Sequence, residues 1–290
     1  MKKLFLVIVI FISAQAVKAQ ILKLSTVEEI KESKIVVSLT EDEKLNEIWK
    51  SAIQERWGFT EIIDFVPEDA AFDKLKAKEV DYVLYLNTKY KARSRTYNNN
   101  GFRYVYENEG MSIELRDRKR TYDALQFIPP FGDDNEYADA FVNFGIDALQ
   151  YQFEVLIKNN LKSNLTAGDE YNEYASELKD KTLLILSGWI HKKTTIEEVK
   201  ELYDGSIEVV PFEDWKEAIL EKQEDRAYVV VVPHPMGRTT IYLHYLMDAA
   251  TGRVLGLGHP KRSFGVFGYS KGNSGFINEK NLEIYNELIE

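Results

Sequence analysis

No cysteine occurs in the 290 residues. That excludes disulfide frameworks, thiolate nucleophiles, zinc ribbons and a lipid-modified cysteine at a mature amino terminus. Positive charge is in deficit, with 37 Lys plus Arg against 47 Asp plus Glu. All three charges in the first nineteen residues are lysines, so residues 20–290 carry 34 bases against 47 acids. Such a surface repels phosphate backbones, and nucleic acid is excluded as a partner. Long hydrophobic runs are also missing. The longest unbroken one, Leu4–Ile12, has nine residues, far short of the roughly 18 that a spanning helix needs. Preceded by Lys2 and Lys3 and followed by small residues at Val17 and Ala19, it reads as a secretory signal peptide, residues 1–19, cut before Gln20. The expected address is the periplasm or the outside of the cell, with no transmembrane segment in the mature chain and no lipoprotein cysteine.

What is present is a chain with 44% hydrophobic and 12% aromatic residues, enough for one large core or two ordinary ones. From Lys34 the pattern alternates. IVVSL suits a buried strand, and Thr40 with Glu43 is a capping-box signature ahead of Leu45, Ile48, Trp49, Ala52 and Ile53 at helical spacing. TEIIDFV runs as a strand into Pro67, Glu68 and Asp69 open a helix, and DYVLYL is a third strand. The same order returns in TLLILS, a Thr194/Glu197 capping box, SIEVV, Pro211 with Glu213 and Asp214, and AYVVVV. Val66-Pro67 matches Val210-Pro211 at an offset of 144 residues, and Tyr82 matches Tyr228 at 146. A nearly constant offset marks an internal repeat. Each third strand leads toward a hairpin, Ser112 to Ile128 in one half and Thr239 to Gly258 in the other, and each half closes with an apolar-faced helix. The expected fold is α/β with mixed sheets, built as two tandem strand-helix-strand-helix-strand-strand-strand-helix domains. Their bounds are residues 34–160 and 180–290, joined by a polar linker at 161–179.

VVVVP (Val229 to Pro233) and IYLHYLMDAATGRVLGLG (Ile241 to Gly258), in that order of elements, resemble the amino-terminal domain of the Tol-Pal translocation protein and the periplasmic domain of the curli secretion lipoprotein family. There an Asp-Ala-x-Thr-Gly turn joins a polar-apolar strand to a Val-Leu return strand. The resemblance implies a cell-envelope domain that docks on other proteins without catalysis.

Candidate chemistry is sparse. With a loop of Ala249 to Gly252, Asp248 pairs with Arg253, His244 faces Leu257, and His259 lies diagonal to His244 on the same face. A third ligand is unassigned, so no metal site and no cofactor are expected. Ser187-Gly188 and Ser274-Gly275 lack a nucleophile elbow. The acidic pairs Glu68-Asp69 and Glu213-Asp214 sit at helix starts, where the helix dipole explains them. Two basic groups stand out against the acidic background. Lys89, Lys91, Arg93 and Arg95 follow the third strand, and Arg116 and Arg118 lie in the first hairpin, at what reads as the same strand end. His234, Arg238, His259, Lys261 and Arg262 flank the glycine-rich GYSKGNSG. These eleven residues are the candidate binding set for a partner or a small anion. The functional expectation is a non-enzymatic envelope docking protein with a protein partner. The alternative is a periplasmic binding protein that closes two lobes over a small anionic ligand.

Overall fold

The computed structural model describes residues 22–90, 97–99, 102–104, 110–119, 121–129, 136–164, 169–236, 239–258, 264–265, 268–269 and 275–290. In the first half, β1 (Ile35–Leu39), β2 (Ile62–Pro67) and β3 (Tyr82–Tyr90) pair in parallel. β4 (Tyr97–Asn99) and β5 (Phe102–Tyr104) form a separate pair. β6 (Gly110–Arg116) and β7 (Thr121–Ile128) extend the sheet antiparallel, in the order β2-β1-β3-β6-β7. In the second half, β8 (Thr182–Leu186), β9 (Ser206–Val210) and β10 (Arg226–Met236) are parallel, and β11 (Thr239–Asp248) and β12 (Val254–Gly258) return antiparallel. The order is β12-β11-β10-β8-β9. β13 (Phe264–Gly265) and β14 (Gly268–Tyr269) make a further short pair. Leaving aside the two small pairs, both sheets have the order second-first-third-fourth-fifth. The α/β class and the doubled strand-helix plan are as the sequence pattern predicts.

The helices are α1 (Leu24–Lys31), α2 (Glu43–Arg56), α3 (Glu68–Ala77), α4 (Ala138–Lys158), α5 (Ile196–Leu202), α6 (Phe212–Leu220) and α7 (Glu279–Ile289). None of the described helices is long and apolar enough to cross a membrane. Glu68-Asp69 and Glu213-Asp214 occupy first turns behind Pro67 and Pro211, where the dipole favours them. The predicted box on α2 is replaced by a simple cap, and that on α5 moves by one residue. Asp42, not Thr40, caps α2, its side chain accepting from Leu45 N, because the Thr40 hydroxyl donates to Asn46 Oδ1. Thr195 and Glu198 form the box on α5, since Thr194 N closes a turn onto the His191 carbonyl.

Because β2 and β3 lie on opposite sides of β1, right-handed crossovers send α2 and α3 to opposite faces. Ala71 and Leu75 of α3 pack on Val36 and Val83 outside, while Trp49 and Ile53 of α2 join Tyr82, Leu84 and Ile113 inside. In the second half α6 puts Trp215 against Tyr228, and α5 lies with α7 on the opposite face, tied through Asn286 to Leu202 and Asp204. The repeat therefore aligns Tyr228 with Val83, which faces the corresponding helix, and not with Tyr82. Side chains alternate faces along a strand, so a one-residue slip in the sequence offset inverts every position.

α4 is buried nearly all round, as a helix between two layers must be. Gly145 brings its backbone against Ile128 and Ile113 of the first sheet, where an added Cβ would lie 3.0 Å from Ile128. On the opposite side Phe144 stacks edge-on against Tyr245 at 5.3 Å, and Phe141 meets Trp215 at 5.3 Å and Trp189 at 6.2 Å. One apolar core thus runs through both halves. Residues 161–179 include Tyr171 and Leu178, which are buried in it. α1, for which the sequence pattern gave no signal, adds Val27 and Ile30.

Candidate functional site

In open α/β sheets, ligands gather at the carboxyl ends of parallel strands where the winding reverses. In the first half that point lies between β1 and β3; one strand over, at the seam of β3 and β6, polar side chains converge on Glu114. The β3/β6 register sets Tyr85 opposite Glu114 and Asn87 opposite Ser112, so alternation places all four on the outer face. Glu114 is 4% exposed. Its Oε1 accepts from Asn87 Nδ2 at 2.6 Å and Ser112 Oγ at 2.8 Å, and its Oε2 accepts from the Tyr85 hydroxyl at 2.5 Å. Three donors on one carboxylate make a satisfied polar cluster that fixes the β3–β6 seam, with Ser112 and Glu114 closed to solvent. Phe72 of α3 lies edge-on to Tyr85, and the Arg116 guanidinium rests 4.7 Å over the Phe72 ring.

A second buried group sits where the halves meet. Asp147 of α4 binds Arg56 Nη1 through Oδ2 at 2.5 Å, and Arg56 Nη2 donates to the Ile219 carbonyl of α6. Gly252, in the turn between β11 and β12, has φ +70 and presses on the same carboxylate: an added Cβ would lie 2.1 Å from Oδ2. Burial pushes Asp147 up to about 7 against the pull of Arg56. The adjacent Tyr228 is buried, and its ionisation is pushed upward by burial and by Asp147. This is a joint between elements, closed to a ligand by packing.

The third group is His244 with Tyr285. The pairing differs from the sequence expectation: His244 faces Gly258, and Leu257 faces Tyr245, because a bulge between Leu246 and Met247 shifts the register. The predicted turn stands, with Asp248 N donating to the Arg253 carbonyl. His244 is 1% exposed and its Nδ1 lies 2.5 Å from the Tyr285 hydroxyl. Burial alone pushes its pKa down to about 3, so the ring is neutral. His191, beyond β8, is a surface residue whose Nδ1 accepts from Lys193 N. Among the described residues no three His, Asp or Glu side chains are placed to hold a metal ion.

Of the predicted binding set, Lys91, Arg93, Arg95, Arg238, His259, Lys261 and Arg262 lie outside the described residues. Lys89 is in β3, and His234 is in β10 opposite Ile241, both described by backbone only. Arg116 and Arg118 are exposed. The single patch expected of Lys89 and Arg116 is corrected by the strand register. β6 runs antiparallel to β3, so Arg116 pairs with Val83 while Tyr90 pairs with Gly110. At about 3.3 Å per residue, Lys89 and Arg116 stand some 20 Å apart at opposite ends of the sheet. Glu114, Asp147 and Tyr285 were not singled out by sequence reasoning. The available signal was an acid at an interior position of an apolar strand or helix, which demands a partner.

Compared with known protein families, curated proteins and solved structures, the chain finds no match.

Proposed function

We propose that this is an exported, non-enzymatic docking protein of the cell envelope, with the exposed strand end of the first sheet at Arg116 and Arg118 as a contact surface. The observation that carries this reading is α4. Phe144 packs it on the second sheet and Phe141 on α6, Gly145 seats it on the first sheet, and Asp147 ties it to Arg56 of α2. Two α/β units joined in this way form a platform of fixed shape. Closure over a small anion, the competing mechanism, needs a hinge where this chain has interleaved aromatic rings. The signal-like amino terminus and the resemblance of Ile241 to Gly258 to envelope docking domains agree with it.

The test is crosslinking and capture with the full exported chain, alongside Arg116→Glu with Arg118→Glu, two exposed positions. Recovery of one partner by the native chain, lost with the double variant, supports docking. Recovery of none, together with a thermal shift and compaction on adding phosphate or a small carboxylate, overturns it in favour of a binding protein.

A further inference from the structure

His244 lies under α7 in surroundings that suit only its neutral form. If the Tyr285 hydroxyl donates to Nδ1, the ring proton sits on Nε2, and Nε2 has no hydrogen-bond partner among the described residues. The ring stands between Val231 of β10 and Gly258 of β12, neither of which titrates. Gly258 leaves room for the Tyr285 ring, which an added Cβ would approach to 3.3 Å. From α7 the facing group is Tyr285, kept neutral because burial raises its pKa well above the usual phenol range. Tyr203, just after α5, is pushed up to about 12 and is neutral too. The acids of α7, Glu279, Glu283 and Glu287, are exposed on its far side.

We propose that α7 is an acid-released cover, freed from the second sheet when His244 takes up a proton while the remainder of the fold stays closed. A proton on Nδ1 would turn the Tyr285 hydroxyl from donor to acceptor and would place a charge in a buried site where no acid among the described residues offsets the lost hydration. α7 gives way first because it is a single helix laid on the sheet and takes no part in its hydrogen-bond ladder. Its anchors are Leu282, Tyr285 and Ile289 with the two Asn286 hydrogen bonds, whereas β10 and β11 are held along their whole length.

The sign follows from linkage. A histidine held near 3 when covered and near 6.5 when open binds fewer protons in the covered state, so cover stability is lost as pH falls below 6.5. The opening equilibrium of α7 rises about thirtyfold between pH 7.5 and pH 5. The experiment is native-state hydrogen exchange on the full chain at pH 5, 6 and 7.5, corrected for intrinsic rates. The expected result is about thirtyfold more opening for amides 282–289 at pH 5, with Tyr228 to Val232 unchanged. His244→Gln should flatten the dependence, and Tyr285→Phe should raise opening at every pH while keeping the slope. Equal protection of α7 at pH 5 and 7.5 overturns the proposal. So does the same acid slope in His244→Gln, or simultaneous loss in β10, which is global acid unfolding. If His244→Gln fails to fold, the native chain and Tyr285→Phe decide by their slopes.

Discussion

Asp147→Asn should change how stability depends on pH. In the folded chain burial raises the carboxyl to about 7, against an ordinary value of 3.8. Between those values the folded state holds a proton that the unfolded state releases. The contribution is therefore fully present below about 4 and is lost as pH rises through 7. Three units correspond to about 4 kcal/mol over the full range, and about 2–3 kcal/mol between pH 5 and pH 8. Asn keeps the shape and an acceptor for Arg56 but does not titrate. Urea unfolding of both proteins at pH 5, 6, 7 and 8 measures the difference directly. The stability of the native chain relative to Asp147→Asn should fall by that 2–3 kcal/mol from pH 5 to 8. Parallel curves, or a difference of opposite sign, would mean that Arg56 outweighs desolvation and holds the carboxylate ionised throughout.

Gly252→Ala should destabilise by about 2–4 kcal/mol, from the left-handed backbone and the clash with Asp147 together. Asp147→Ala should recover part of that loss, and a thermal-unfolding double-mutant cycle returning plain additivity would contradict the contact. Thr195→Ala should cost about 1 kcal/mol through loss of the α5 cap, while Thr194→Ala should be near neutral. Equal costs in thermal unfolding would restore the capping box to Thr194.

Strands and hairpins were legible because their signals are local. Continuous apolar runs such as IVVSL and AYVVVV, and the Asp248 to Gly252 turn, carry their own geometry. Caps slipped because several residues capable of capping stand together, and the choice among Thr40, Asp42 and Asn46 depends on which side chain the turn brings round. The register of His244 was lost to a bulge that composition does not announce. The misplaced basic patch had a different cause. Lys89 and Arg116 were read as sharing a strand end, but an antiparallel partner reverses direction, which only the register reveals. The joint at Asp147 was out of reach for a simpler reason. Its partner Arg56 is 91 residues away, and the pairing exists only once α4 has been laid between the two sheets.

That placement of α4 is most directly tested by native-state hydrogen exchange in rising urea, following the amides of Val83 to Leu86 and of Tyr228 to Val232 separately. One core shared through α4 predicts that both sets merge into a single unfolding isotherm, with the same free energy and the same denaturant dependence. Two isotherms, with one half exchanging while the other stays protected, would contradict it.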